Sequence, residues 1–360
     1  MNINELRGFT IYVTNDCNLR CKHCWVSGGK SADYLDYELI ISRILEAYDM
    51  GVRNFLITGG EPFMHPQIID IIECIAKKEG AYVDIETNAT LIGDCDIERM
   101  EKYKNISLFA SIDSSTASTH DSIRGINGAF DITKRTVEKL VKHGLLYQCI
   151  MAVSKLNEAD VENTIQLCIQ LGVKILRVLP VQPCGRGEEL AQNRITFDVK
   201  ERIKFYEQQQ KLMEKYKGQI LIKTPIPPAF MKLKNVLNYR NECSFCNRLT
   251  LLPNGRYSMC GIGEAHPNYQ FGENYLTTVF DCWNNNPTVQ KLSNETKKYK
   301  SPCQLCIYKN ICKGFCHAIS IQDSINMDEQ YRFCYEAYKE GLFPSNALVH
   351  SAKEIKNENE

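Results

Sequence analysis

The chain has 360 residues, 44% of them hydrophobic, with 43 basic and 43 acidic side chains. That length supports a sizeable core or two, and a formal charge of zero gives no ground for a nucleic-acid or membrane-surface partner. Neither a signal peptide nor an apolar run of transmembrane length is expected, so the seventeen cysteines point to metal binding in a reducing cytoplasm rather than to disulfides.

From Phe9 to about Pro183, apolar strands alternate with amphipathic helices. The predicted strands are Phe9–Thr14, Arg53–Thr58, Ala81–Glu86, Ile106–Ile112, Gln148–Val153 and Lys174–Leu179. Between the first two, Ile40, Ile44, Leu45 and Tyr48 share one helical face; after the second, Ile68, Ile71, Ile72 and Ile75 do the same. Six such units imply an α/β fold with a parallel sheet and right-handed crossovers. The expected architecture is a partial (β/α)6 barrel; spacing alone leaves an open doubly wound sheet as the alternative. In either fold, chemistry gathers at the C-terminal ends of the strands.

Residues 195–218 read as a charged amphipathic helix, and Thr224-Pro225-Ile226-Pro227-Pro228 as a breaker. Beyond Glu242 cysteines become dense and strands short, as in a small metal-stapled domain. The expected division is a barrel over 1–187, a helical linker over 188–242, an auxiliary-cluster domain over 243–336, and a C-terminal helix with polar tail over 337–360.

The chemistry begins after the first strand. Cys17, Cys21 and Cys24 stand at C-x3-C-x2-C spacing. Three thiolates can bind three irons of a 4Fe–4S cubane, and the fourth iron then lacks a protein ligand and is open to a small molecule. A zinc site completed by His23 and a set of packed free thiols are the other readings of the motif. Gly59-Gly60-Glu61-Pro62 follows the second strand, Thr87-Asn88-Ala89 the third, Ser111-Ile112-Asp113 the fourth and Pro180 to Gly187 the sixth. Two glycines admit close backbone approach, and Glu61 adds a carboxylate.

These motifs, with His120-Asp121-Ser122-Ile123-Arg124-Gly125 and Gly128-Ala129-Phe130, resemble the radical S-adenosylmethionine (SAM) enzymes of the SPASM branch. The resemblance runs from about Phe9 to Cys334. It implies that SAM occupies the open iron of the Cys17, Cys21, Cys24 cluster. It places Gly59, Gly60 and Glu61 at the methionine amino group, with Thr87 and Asn88 beside them. It gives Ser111, Asp113 and Arg124 the ribose and carboxylate. Ala89 stands where the family usually has glycine. The C-terminal cysteines match the SPASM signature, and the resemblance assigns Cys243, Cys246, Cys260 and Cys316 to one auxiliary cluster and Cys303, Cys306, Cys312 and Cys334 to a second. Three 4Fe–4S clusters and SAM are therefore the expected cofactors; a pair of structural zinc sites is the alternative for the C-terminal set.

Six cysteines are left over: Cys74, Cys95, Cys149, Cys168, Cys184 and Cys282. Cys184 lies after the sixth strand at the expected pocket mouth, as a candidate hydrogen-atom donor or a buried loop thiol. The implied activity is reductive SAM cleavage to a 5′-deoxyadenosyl radical that modifies a ribosomally made peptide by crosslinking, oxidation or epimerisation. Anaerobic sulfatase maturation is one alternative, but those enzymes carry an aspartate after the auxiliary cysteine where this chain has Gly261. A small-molecule oxidase or decarboxylase acting on haem precursors is another. A structural zinc protein or an electron carrier is the non-enzymatic one. Only sixteen residues precede Cys17, so leader recognition is expected to need another surface or a separate leader-binding protein. A flavodoxin- or ferredoxin-type reductant completes the expected partners.

Overall fold

The computed structural model describes residues 5–29, 34–237, 239, 247–294, 299–316 and 331–349. The six expected strands form as β1 (Gly8–Tyr12), β2 (Asn54–Thr58), β3 (Tyr82–Thr87), β4 (Ile106–Ser111), β5 (Leu146–Val153) and β6 (Ile175–Pro180). Three more join them: β7 (Leu221–Lys223), β8 (Arg248–Leu251) and β9 (Tyr257–Ser258). The sheet order is β7-β6-β5-β4-β3-β2-β1-β8-β9. All ladders are parallel except β8–β9. This is the α/β, largely parallel architecture that the alternation of elements predicts.

The helices are α1 (Tyr37–Asp49), α2 (Ile68–Ala76), α3 (Asp94–Met100), α4 (Ala117–Arg124), α5 (Ala129–Lys142), α6 (Val161–Gln170), α7 (Gly187–Gln192) and α8 (Val199–Lys215), followed by shorter ones. Helix α1 starts where the Asp36 carboxylate accepts from Leu39 N at 3.0 Å, and it buries Ile40, Ile44 and Ala47. Helix α2 buries Ile68, Ile69, Ile71, Ile72, Ile75 and Ala76. Each such fully buried isoleucine stabilises the fold by about 1.5–3 kcal/mol. Along β3, Val83, Ile85 and Thr87 are buried while Asp84 and Glu86 on the other face are half-buried. That second face is polar: Thr58 Oγ1 donates to Glu86 at 3.1 Å, and Arg248 Nη1 to Thr10 Oγ1 at 3.2 Å.

Two compact units divide the chain differently from the expected boundaries. One comprises Met1–Phe197, Lys211–Thr224 and Ser244–Asn294; the other comprises Asp198–Gln210, Pro225–Cys243 and Glu295–Glu360. Residues 248–258 group with the sheet because β8 pairs with β1, Gly8 opposite Arg248 through Ile11 opposite Leu251. The stretch expected to be a helical linker also contains β7, which pairs with β6 from Ile175 opposite Leu221. The second unit has a small aromatic core: Phe230 lies 4.9 Å from Phe333 and 5.6 Å from Phe343, centroid to centroid. Among the described residues, no helix is long and apolar enough to cross a membrane.

Candidate active site

The loop after β1 carries Cys17, Cys21 and Cys24. Cys17 and Cys21 are buried with Leu19 and Ala129, and Cys24 packs against them. Four other loops at the C-terminal ends of the strands hold this one in place, and each does so through named bonds.

The loop after β2 lies flat against it. Gly60 N donates to Thr14 O and Glu61 N to Asp16 O, both at 2.8 Å. A β-carbon on Gly60 would stand 2.1 Å from Asp16 O, so this position accepts no side chain. The close approach that Gly60 permits is therefore to the cysteine loop itself. Replacing Gly60 by alanine is expected to cost about 1–3 kcal/mol through overpacking and to lower the iron bound after reconstitution, measured by thermal unfolding and iron assay on the same preparation.

Glu61 is turned toward the loop after β3. Its carboxylate accepts from Thr87 Oγ1 and Asn88 N, both at 2.7 Å, and from Phe63 N at 3.2 Å. Burial pushes its pKa up to about 7 against these three donors. Asn88 in turn donates to Asn18 Oδ1 at 2.9 Å and approaches Cys17 Sγ at 3.9 Å. Leu19 N also donates to Cys17 Sγ, at 3.4 Å.

Beneath Cys21 sits the loop after β4. The Asp113 carboxylate, wholly buried, lies 2.7 Å from Arg124 Nε and 3.7 Å from His23 Nε2, and it accepts from Ala152 N at 2.9 Å. Burial pushes the Asp113 pKa up, but Arg124, His23 and His120 outweigh it and hold it below the usual range. Arg124 Nη1 donates to Cys21 Sγ at 3.6 Å. The last carbonyls of α4 are also used: Arg20 N donates to Arg124 O at 3.0 Å and Lys22 N to Ile123 O at 2.9 Å. Burial lowers the His23 pKa to about 4, so its imidazole is neutral near pH 7. Ser111 is half-buried at the end of β4.

The loop after β6 closes over Cys24. Arg186 N donates to Cys24 O at 2.9 Å, Arg186 Nε to Cys21 O at 2.7 Å and Arg186 Nη1 to Gly28 O at 2.8 Å. Gly185, at φ +56°, lets this happen, since its β-carbon would meet Trp25 O at 2.3 Å. Cys184 is fully buried, with its thiol 3.8 Å from Trp25 O.

Sequence reasoning missed Arg186 and Tyr12. Arg186 lies between two glycines in a loop already marked as part of the rim, and that placement was the available signal. Tyr12 gave none. Its hydroxyl stands 2.1 Å from where a β-carbon on Gly261 would be, and Trp25 Nε1 stands 3.4 Å from the same point. Nearby, Asn15 Nδ2 donates to Glu264 Oε2 at 2.8 Å.

The donor set suits iron and sulfide. Burial pushes the Cys17 thiol up to about 12 and raises Cys21 as well, so a bound cation would be needed to hold these two sulfurs as thiolates. N–H groups already point at the Cys17 and Cys21 sulfurs. In the second unit, Cys303, Cys306, Cys312 and Cys334 line one cavity of about 350 Å³, its open mouth included. Burial pushes Cys303 up to about 11 and Cys312 to about 12. Among the described residues, no three Cys, His, Asp or Glu side chains converge on a single metal ion. Cys260 belongs to the first unit and Cys316 to the second, while Cys243 and Cys246 lie outside the described residues.

A parallel α/β sheet with three braced thiols after its first strand is the arrangement that the radical SAM resemblance implies. Residues 11–168 match the radical SAM superfamily, and the chain carries a radical SAM domain. Its C-terminal region is rich in cysteine. Over 310 residues it is 32% identical to the antilisterial bacteriocin subtilosin biosynthesis protein AlbA of Bacillus subtilis (strain 168), a match covering 85% of this chain and 66% of AlbA. Over 343 residues it is 26% identical to the AdoMet-dependent heme synthase of Methanosarcina barkeri (strain Fusaro / DSM 804), covering 89% of this chain and 94% of that protein. The fold is similar to that of Streptococcus suis SuiB bound to precursor peptide SuiA, with a TM-score of 0.73, 17% identity and coverage of 92% and 76%. The chain thus spans about two thirds of AlbA's length. The domain implies one 4Fe–4S cluster and SAM as cofactors.

Proposed function

We propose that this chain is a radical SAM maturase that modifies a ribosomally made peptide by crosslinking, oxidation or epimerisation. The observation that carries the reading is the 32% identity to a bacteriocin biosynthesis protein across 85% of the chain. Cys17, Cys21 and Cys24 would hold the first cluster. Cys303, Cys306, Cys312 and Cys334, gathered on one cavity, would hold another. Cys243, Cys246, Cys260 and Cys316 are assigned to a third by the family resemblance alone. When bound, cluster and SAM supply a 5′-deoxyadenosyl radical that removes a hydrogen atom from substrate.

The protein's part is positioning. In this reading Gly59, Gly60, Thr87, Asn88 and Ser111 line the side of the rim that SAM would approach, with Gly60 N bonded to Thr14, Thr87 Oγ1 to Glu61 and the Asn88 amide to Asn18. Asp113, Arg124 and Glu61 act in this reading by fixing the cysteine loop, since their first partners are protein groups. Arg124 retains further guanidinium N–H groups for a carboxylate. Such fixing suits a reaction in which the target C–H bond must be held against an indiscriminate radical. A precursor peptide, a flavodoxin- or ferredoxin-type reductant and a separate leader-binding protein are the partners this reading requires.

Haem-precursor chemistry is the second reading, favoured by the match to 94% of the heme synthase. Sulfatase maturation is disfavoured by Gly261, whose side-chain space Tyr12 fills. The test is mass spectrometry of a precursor peptide encoded beside the gene, after anaerobic incubation with reconstituted enzyme, SAM and a low-potential reductant. Loss of two hydrogens, or uptake of solvent deuterium without other change, is the expected result. An unmodified peptide with deoxyadenosine still formed would transfer the assignment to small-molecule chemistry.

A further inference from the structure

We propose that Tyr12, at the end of β1, hydrogen-bonds a backbone amide of the substrate peptide beside the cysteine loop and so selects the C–H bond presented for reaction. The inference rests on the peptide-maturase reading and adds a substrate contact to that same site.

Tyr12 closes β1 opposite Thr58 of β2. Two residues on from Thr10, it shares the polar face of the sheet with Thr10, Thr58 and Glu86. Tyr12 is only 9% exposed, yet its hydroxyl bonds no described residue. A buried phenol normally has a partner. Trp25, directly after Cys24, is half-buried, and its indole N–H bonds no described residue either. Tyr12 Oη and Trp25 Nε1 converge, since both lie within 3.4 Å of the point where a Gly261 β-carbon would stand. Glu86 accepts from Thr58 through one carboxylate oxygen at 3.1 Å, and its other oxygen is unbonded among the described residues. Glu264, held by Asn15 Nδ2 at 2.8 Å, is a further carboxylate near Tyr12. All of these residues belong to one compact unit.

Two unused donors that meet at one point suit a carbonyl oxygen, and a free carboxylate oxygen suits an N–H. A peptide amide presents both groups. An anionic substrate group fits less well, because the Glu86 and Glu264 carboxylates stand close by. Burial raises the Tyr12 pKa and these carboxylates add to it, so the phenol stays a donor. Arg177 and Arg248 act on Glu86, where with Thr58 they oppose the effect of burial. Tyr12 and Trp25 bracket the Cys17–Cys24 loop in sequence, so an amide held between them lies against that loop. Fixing one amide there holds its neighbouring C–H bonds in one orientation. Tyr12 thus acts by positioning substrate, neither as a cluster ligand nor as a base.

The test uses the full reconstituted chain, SAM and a synthetic copy of the precursor peptide encoded beside the gene, all under anaerobic conditions. Peptide affinity is read from the fluorescence anisotropy of a labelled copy, and coupling from the ratio of modified peptide to deoxyadenosine. Iron and sulfide are assayed on every sample. Tyr12→Phe removes the hydroxyl and keeps the ring. It is expected to weaken peptide binding about two- to tenfold, the worth of one neutral hydrogen bond. At saturating peptide it should also lower the coupling ratio by about threefold or more. Glu86→Gln, which keeps an acceptor oxygen, should weaken binding by less than Tyr12→Phe. Equal affinity and equal coupling in Tyr12→Phe at parental iron content overturn the proposal. A loss that tracks lost iron also overturns it, by placing Tyr12 in support of the cysteine loop. Tighter binding in Glu86→Gln overturns it too, by showing an anionic group in the site. A parent that leaves the peptide unmodified overturns the maturase reading and this inference with it, whereas a competent parent matched by Tyr12→Phe overturns this inference alone.

Discussion

Replacing Cys17, Cys21 and Cys24 together by alanine is expected to reduce deoxyadenosine formation from SAM to the uncatalysed background. The three sulfurs stand in one loop braced by its neighbours. The reconstituted variant should bind about four fewer irons per chain than the parent, with matching loss of sulfide. Its far-ultraviolet circular dichroism should stay close to the parent's, since alanine fills the buried positions and the loop retains its backbone bonds to Thr14, Asp16, Ile123 and Arg124 partners. SAM cleavage surviving in this variant would contradict the assignment of the triad. Zinc in place of iron and sulfide in the parent would contradict the enzyme reading altogether.

The second large effect concerns the pair under Cys21. Arg124→Met leaves the wholly buried Asp113 carboxylate without its main cation, and breaking a buried pair from one side costs about 3–5 kcal/mol. Adding Asp113→Asn should return much of that loss, because the stranded charge is gone. The pH dependence has a definite sign. Asp113 is depressed in the fold, so its contribution is present above the ordinary aspartate value of about 4 and is lost as pH falls through the lower folded value. Arg124→Met should therefore flatten the acid limb of the stability profile, measured by denaturant titration between pH 3 and 7 (a range set by about the carboxylate pKa). An unchanged limb would mean that the pair contributes no linkage. A weaker grip on Cys21, through the lost N–H···S contact, should appear as slower cluster reconstitution.

Much of this was legible in the chain. The six principal strands were readable because apolar runs alternate with helical segments, the first two of which carry isoleucine-rich faces; the observed ends differ from expectation by at most about two residues. The rim motifs were readable because parallel sheets deliver their loops to one end. Strands β7 and β8 were not readable. Three or four residues such as Leu221–Lys223 or Arg248–Leu251 carry too little pattern, and they become strands only because β6 and β1 offer them edges. The partners of the site's polar residues were also out of reach. The family resemblance assigns Asp113, Arg124 and Glu61 to SAM; the fold adds that Asp113 and Arg124 pair with each other and that Glu61 bonds Thr87 and Asn88, contacts that no sequence pattern announces. An arginine fork or carboxylate is chemically suited to both tasks.

Tyr12 and Gly261 carry one more implication, for how substitutions at the two positions combine. The Tyr12 hydroxyl occupies the space that any side chain at 261 would need. A side chain placed at 261 therefore obliges the Tyr12 ring to move, so the effects of substitutions at the two positions are expected to be interdependent, and libraries that vary 12 and 261 together reach combinations that variation of 261 alone does not.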